Sequence, residues 1–246
     1  MTQYLDTPAG RRIAHRLRGG QGPGIVFLGG FRSDMTGTKA EWLDAWARDR
    51  GRASLRFDYS GHGASSGTFE EGSIGAWFAD AQAAIGALTR GPQVLVGSSM
   101  GGWIALLLAR AMPDRIAGLV TVAAAPDFTE QGFWAGFDAD QRDALMTTGH
   151  VALPSDYGDA PYVITRRLIE DGRDHQVMNR PLGLPFPVRM LQGMADTDVP
   201  VGWAMRLLDH ATGPDIRLTL VKGADHRFST PECLRLIGQA VDDVSA

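Results

Sequence analysis

The sequence predicts an α/β fold: a mostly parallel sheet of eight strands with helices packed on both faces. Three observations carry this expectation. Short aliphatic and β-branched runs, apolar on both faces, recur along the chain. Longer segments of helical period separate them, which is the alternation that crossovers between parallel strands require. The 246 residues are 44% hydrophobic and 21% charged, so there is enough apolar material to bury such a sheet.

Taken in order, QYLDT and RIAHRLR flank Pro8-Ala9-Gly10 and predict a hairpin added at the sheet's edge. GIVFLGG (24–30), ASLRFDY (53–59), QVLVGSS (93–99), IAGLVTVAAA (116–125), PVRMLQG (187–193) and IRLTLVKGA (216–224) supply the other strands. Helices are expected over Thr38–Asp49, Ser73–Leu88, Met100–Met112, Val201–Ala211 and Pro231–Val244. Between Ala125 and Pro187 the rhythm breaks, over an interval too long for a plain loop. It holds a helix pattern, DADQRDALMTTG, with Asp138 placed to cap it, and a hairpin pattern, HVALPSDYGDAPYVITR. Phe128, Phe133, Trp134, Phe137, Tyr157 and Tyr162 concentrate there. The expectation is a single domain over residues 1–246 with a small cap inserted at about 127–186. An extra helix pair packed on the side of the sheet is the competing reading.

Composition excludes several classes of function. The net charge is −4 without a basic cluster, so nucleic-acid binding has no electrostatic footprint. No apolar run approaches the roughly 18 residues of a membrane span. MTQYLDTPAG lacks the basic and apolar regions of a secretion signal, and Cys233 is the sole cysteine, so a cytoplasmic location is expected. Phosphate-binding glycine motifs and metal-spaced histidines or cysteines do not occur, so no cofactor and no metal are expected.

The chemistry centres on VLVGSSMGGW (94–103). Gly97-Ser98-Ser99-Met100-Gly101 fits G-x-S-x-G, a pattern that means little alone but here follows a strand and opens a helix. Ser99 takes the central position, beside the positive N-terminus of that helix. A serine hydroxyl needs a base. Of His15, His62, His150, His175, His210 and His226, only His226 lies just past the C-terminal end of the last strand. That is the end of a parallel sheet where ligands bind. The carboxylate that orients the imidazole is Asp196 or Asp198, both following the strand 187–193, with spacing favouring Asp196. Asp198 has the alternative task of capping the next helix, and Asp127 and Asp225 are weaker rivals. Oxyanion donors are expected from the backbone N–H groups of Met100 and of Phe31, which follows Gly29-Gly30 in LGGFRSDMTGTKA.

These residues resemble the α/β-hydrolases over nearly the whole chain. LGGFRSDMTGTKA, RFDYSGHGASSG, VGSSMGGW, LQGMADTDVP and the Asp-His-Arg at 225–227 are similar to one branch, the mitochondrial acyl-protein thioesterases that also hydrolyse acyl-glucuronides. The resemblance implies the α/β-hydrolase fold and the triad Ser99, Asp196 and His226, and it chooses Asp196 over Asp198. Two departures stand out: Gly29 replaces the histidine many members carry there, and no mitochondrial-type leader precedes the domain, which points to a bacterial relative with its own substrate. The expected activity is that of a serine hydrolase acting on ester or thioester substrates, small molecules or acyl-proteins, through an acyl-serine. A carbon–carbon bond hydrolase using the same triad and a non-catalytic binding protein are the alternatives. A haloalkane dehalogenase is excluded, because it needs a carboxylate at position 99. The cap aromatics with Met146 are expected to line an acyl channel; Arg166, Arg167 and Arg227 are placed instead to hold a substrate carboxylate.

Overall fold

The structure, a computed structural model, describes residues 1–153 and 161–245. Tyr157 lies outside the described residues. The predicted edge hairpin is present as β1 (Gln3–Asp6) and β2 (Arg12–Arg18), paired antiparallel. β3 (Gln21–Leu28), β4 (Arg52–Phe57), β5 (Gln93–Ser98) and β6 (Ile116–Val122) follow. The segment that follows β6, expected as an insertion, holds β7 (His150–Leu153) and β8 (Tyr162–Thr165), an antiparallel pair apart from the main sheet. A two-residue β9 (Leu182–Gly183), β10 (Val188–Gly193), a two-residue β11 (Ala211–Thr212) and β12 (Ile216–Val221) complete the strands among the described residues.

Eight strands form the main sheet, in the order β1-β2-β4-β3-β5-β6-β10-β12. β2 meets β4 antiparallel, and every pairing from β4 to β12 is parallel. The chain passes from β3 to β4 on one side and returns to β5 on the other. This reversal opens a crevice at the C-terminal ends of β3 and β5, the switch point where open α/β sheets take ligands.

Two apolar layers bury the central strands. On one face, α2 (Ile74–Leu88) and α3 (Met100–Ala111) pack Trp77, Trp103 and Ile104 against Val26, Leu28 and Leu95. On the other, α1 (Thr38–Asp49) and α7 (Pro231–Asp243) pack Leu43, Trp46 and Ile237 against Ile25, Val94 and Val120. α6 (Val201–His210) lies between β10 and β12 in the chain. Alternate residues of each buried strand thus serve opposite cores, which is why these runs read as continuously apolar.

The inserted segment begins with Asp127 and a π-helical turn (Thr129–Trp134), then α4 (Ala139–Thr148), the β7–β8 hairpin and α5 (Arg166–Asp174). Asp138 caps α4 as expected, in a capping box with Gln141. Side chains close the segment on itself and fasten it to the body. The buried Asp127 carboxylate accepts from Val177 N at 2.8 Å and Met178 N at 3.0 Å. Asp171 accepts from Gly75 N at 2.6 Å, and Trp103 Nε1 donates to His175 O at 3.1 Å. No described helix is long and apolar enough to cross a membrane.

Candidate active site

Ser99 joins β5 to α3 at φ 55°, ψ −118°, outside the regions that L-residues prefer. Its surroundings leave little alternative. A Cβ on Gly97 would strike the carbonyl oxygen of Gly101, and one on Gly101 would strike that of Leu28. Only glycines let strand and helix meet at this angle. Ser99 N donates to Val122 O at 2.9 Å and Ser99 O accepts from Ala125 N at 3.1 Å, tying the turn to β6. Both serines line a cavity, Ser98 buried in its floor and Ser99 more open to it.

β12 ends three residues before Ala224, and the following loop carries His226. The Nδ1–H of His226 donates to Asp196 Oδ2 at 2.9 Å, leaving Nε2 to face Ser99 Oγ at 3.1 Å. Asp196 follows β10 and is 7% exposed. Its Oδ1 accepts from Asp198 N at 3.0 Å and Val199 N at 2.8 Å, and Gln192 Nε2 donates to Oδ2 at 2.9 Å. Burial pushes this carboxyl upward, but the His226 hydrogen bond, the Val199 N–H and the Gln192 amide together hold it below the ordinary value.

The rivals weighed from sequence are placed elsewhere. Asp225 closes its own turn by accepting from Phe228 N, and Asp127 clasps the inserted segment. Asp198 does not cap α6, whose cap position is Pro200. It lines the cavity instead, and its carboxylate, Asp196 and His226 bring their donor atoms within 4.8 Å of one another. A metal there would have to displace a hydrogen bond, since both ring nitrogens of His226 are engaged by Asp196 and Ser99. His15 and His210 meet backbone carbonyls, and His150 is exposed.

The cavity over Ser99 measures about 720 Å³. Phe31, Phe128, Phe133, Tyr162, Val199 and Trp203 form its apolar wall, and Arg32, Lys39 and Arg227 add positive charge. Phe31 packs edge-on against Phe69 at 4.8 Å and Phe128 at 5.6 Å, joining the loop after β3 to the inserted segment. A Cβ on Gly30 would lie 3.4 Å from the Ser99 Cβ, so this loop runs directly against the serine. Met100 stands at the first position of α3, where an N–H has no acceptor within its own helix.

Several expected wall residues lie away from the cavity. Met146 is 44% exposed, Phe137 is buried, and neither they nor Trp134 line it. Arg166 pairs with Glu170 at 2.6 Å on the exposed face of α5, and Arg167 is exposed beside it; of the three arginines only Arg227 reaches the cavity. Sequence reasoning missed Lys39, which lines the cavity and donates to Arg227 O. Burial lowers its ammonium to about 8. His62, set aside as the base, is buried behind the loop, and its Nε2 accepts from Arg32 N at 3.3 Å.

Comparison with known proteins gives the chain's family. Residues 25–237 match the profile of the alpha/beta hydrolase family. Human palmitoyl-protein thioesterase ABHD10, mitochondrial, is 34% identical over 242 residues, covering 98% of this chain and 79% of that protein. A crystal structure from Agrobacterium vitis S4 superposes with a TM-score of 0.96 at 38% identity, covering 100% of this chain and 99% of that one. Mouse alpha/beta hydrolase domain-containing protein 10 superposes with a TM-score of 0.91 at 31% identity, covering 99% and 98%. By sequence over residues 25–237 and by fold, the chain belongs to the α/β hydrolase family.

Proposed function

We propose that this ester and thioester hydrolase works through an acyl-enzyme on Ser99, with His226 as base and acid and Asp196 as the group that orients it. The hydrogen-bonded path from Ser99 Oγ through His226 to Asp196, at 3.1 and 2.9 Å, carries the reading. Ser99 Oγ attacks the substrate carbonyl carbon while its proton passes to Nε2. The oxyanion accepts from the N–H groups of Met100 and Phe31. Collapse breaks the bond to the leaving oxygen or sulfur, which takes the proton from Nε2. Water then gives a proton to Nε2 and attacks the acyl-serine, and collapse of the second oxyanion returns the proton to Ser99 and frees the acid. Asp196, held ionised by its donors, stabilises the imidazolium that forms twice in this cycle.

The inserted segment acts in this reading as a cap over the sheet, since Phe128, Phe133 and Tyr162 come from it to enclose the serine. An apolar acyl chain suits that wall, and the thioesterase named among the relatives is a palmitoyl-protein thioesterase. Acyl-thioesters, including acyl-proteins, are therefore the substrate class proposed. The positive charge of Arg32, Lys39 and Arg227 favours a second reading, an ester carrying a carboxylate near the scissile bond. Hydrolysis rates across acetyl to palmitoyl thioesters, and across neutral and carboxylate-bearing leaving groups, test both. A preference for acetyl removes the acyl-channel reading, and indifference to the leaving-group charge removes the second. Cys233, buried and outside any disulfide, suits a reducing compartment, proposed here as the cytoplasm and testable by fractionation.

A further inference from the structure

We propose that His62 is a positioning residue, which holds the Arg32 backbone N–H through its Nε2 and thereby aims the neighbouring Phe31 N–H at the carbonyl oxygen above Ser99. The inference rests on the assignment of Phe31 to the oxyanion site, and it accounts for how this loop is fixed with Gly29 where many members of the family carry a histidine.

Arg32 stands at φ 57°, a conformation that non-glycine residues hold only when their surroundings impose it. His62 Nε2 accepts from the Arg32 N–H at 3.3 Å. With Nε2 accepting, the ring proton sits on Nδ1 and donates to Ser60 O at 3.2 Å. Ser60 is anchored in turn. Asp80 Oδ2 accepts from its N at 2.9 Å and its Oγ at 2.7 Å, while Arg11 Nε donates to Asp80 Oδ1 at 2.6 Å. Trp77 Nε1 donates to the same Ser60 carbonyl at 3.0 Å. A chain of hydrogen bonds therefore runs from the fully buried Asp80 to the loop beside the serine.

The imidazole cannot turn away from this task. It is 4% exposed and boxed edge-on by Tyr59 at 5.7 Å, Phe69 at 5.1 Å and Trp77 at 5.1 Å. Phe31 packs on two of these rings, Phe69 at 4.8 Å and Trp77 at 5.9 Å. The side chain of Phe31 and the backbone of Arg32 thus share one rigid frame. The charged groups that act on the ring are Asp80, which favours its protonation, and Arg32, which opposes it; Arg11 neutralises Asp80. Burial dominates and lowers the pKa of His62, so Nε2 keeps its lone pair at neutral pH.

Two substitutions separate positioning from mere packing. His62→Asn retains a donor where Nδ1 sits but has no atom at Nε2, whereas His62→Gln places an acceptor there. Loss of a whole oxyanion donor costs roughly 10²–10³ in kcat, so misaiming one is expected to cost about 10–100-fold. His62→Asn is expected to lose that much kcat on a thioester with KM little changed. An alkyl trifluoromethyl ketone, which builds a tetrahedral oxyanion on the serine, is expected to bind more weakly by the same factor. His62→Gln should return most of both losses. Wild-type kcat in His62→Asn, unchanged ketone affinity, or failure of glutamine to restore activity would each overturn the proposal. Should His62→Asn not fold, ¹⁵N spectra of histidine-labelled wild-type protein give the tautomer directly: Nδ1–H is required, and Nε2–H contradicts it. Ketone binding that survives in Ser99→Ala would instead defeat the reading of the serine itself, whatever His62 does.

Discussion

Ser99 occupies a backbone conformation that costs of order 1–3 kcal/mol for a residue other than glycine, and the contacts that impose it also set its hydroxyl 3.1 Å from His226. Ser99→Ala is expected to leave the fold intact and reduce kcat by roughly 10³-fold or more, measured on an activated ester. Asp196→Asn should reduce it by about 10²–10⁴-fold, because the amide reverses the donor and acceptor pattern that His226 needs. Asp196 also links stability to pH. Its carboxyl is held below the unfolded value, so its stabilisation is complete above the unfolded pKa and is lost as pH falls through the folded one. Lys39 shows the opposite side of linkage. Lowered to about 8, it binds its proton less tightly than the unfolded chain between that value and roughly 10.4, so stability rises with pH across this window. Lys39→Met is expected to remove that rise, and melting temperatures from pH 7 to 10 check it; a constant difference between the two proteins would contradict the assignment.

Elements with a strong apolar period were legible from sequence, and those held by tertiary contacts were not. The six parallel strands and α1, α2, α3, α6 and α7 fall within a few residues of expectation, because each carries its own apolar pattern, and α2 and α7 also have capping side chains in Ser73 and Thr230. α5 escaped notice: in RRLIEDGRD the only large apolar side chains are Leu168 and Ile169, and their burial comes from packing on α2 and the π-helical turn. That turn was equally invisible, since nothing local distinguishes it from an ordinary helix. The clasp at Asp127 ties the start of this segment to its far end at Val177 and Met178. Asp127→Ala leaves the N–H groups of Val177 and Met178 without their acceptor, each at about 1–3 kcal/mol if it stays buried. A fall in melting temperature on the order of 5–10 °C is expected, with KM for a long-chain thioester affected more than that for acetyl.

Across the whole molecule, the site exists because the sheet reverses its direction of growth beside β3 and β5. Loops far apart in sequence, after β3, β5, β10 and β12, converge on the crevice this leaves. Their order along the chain was legible; spacing favoured Asp196 over Asp198, and in the structure His226 Nδ1 meets Asp196 Oδ2, whose orientation Val199 N and Gln192 hold. The cavity wall was harder to foresee. Phe128 and Trp134 are equally aromatic, but one faces the serine while the other stacks under the guanidinium groups of Arg142 and Arg173. The same reversal lets His62, from the loop after β4, support the loop after β3 from behind. Mass spectrometry of the protein trapped during turnover of a long-chain acyl thioester tests the central claim most directly. An acyl group on Ser99 that accumulates in the wild type and is absent from Ser99→Ala and His226→Ala is the predicted result. Thioester hydrolysis undiminished in Ser99→Ala, or an acyl group carried on a different residue, would contradict it.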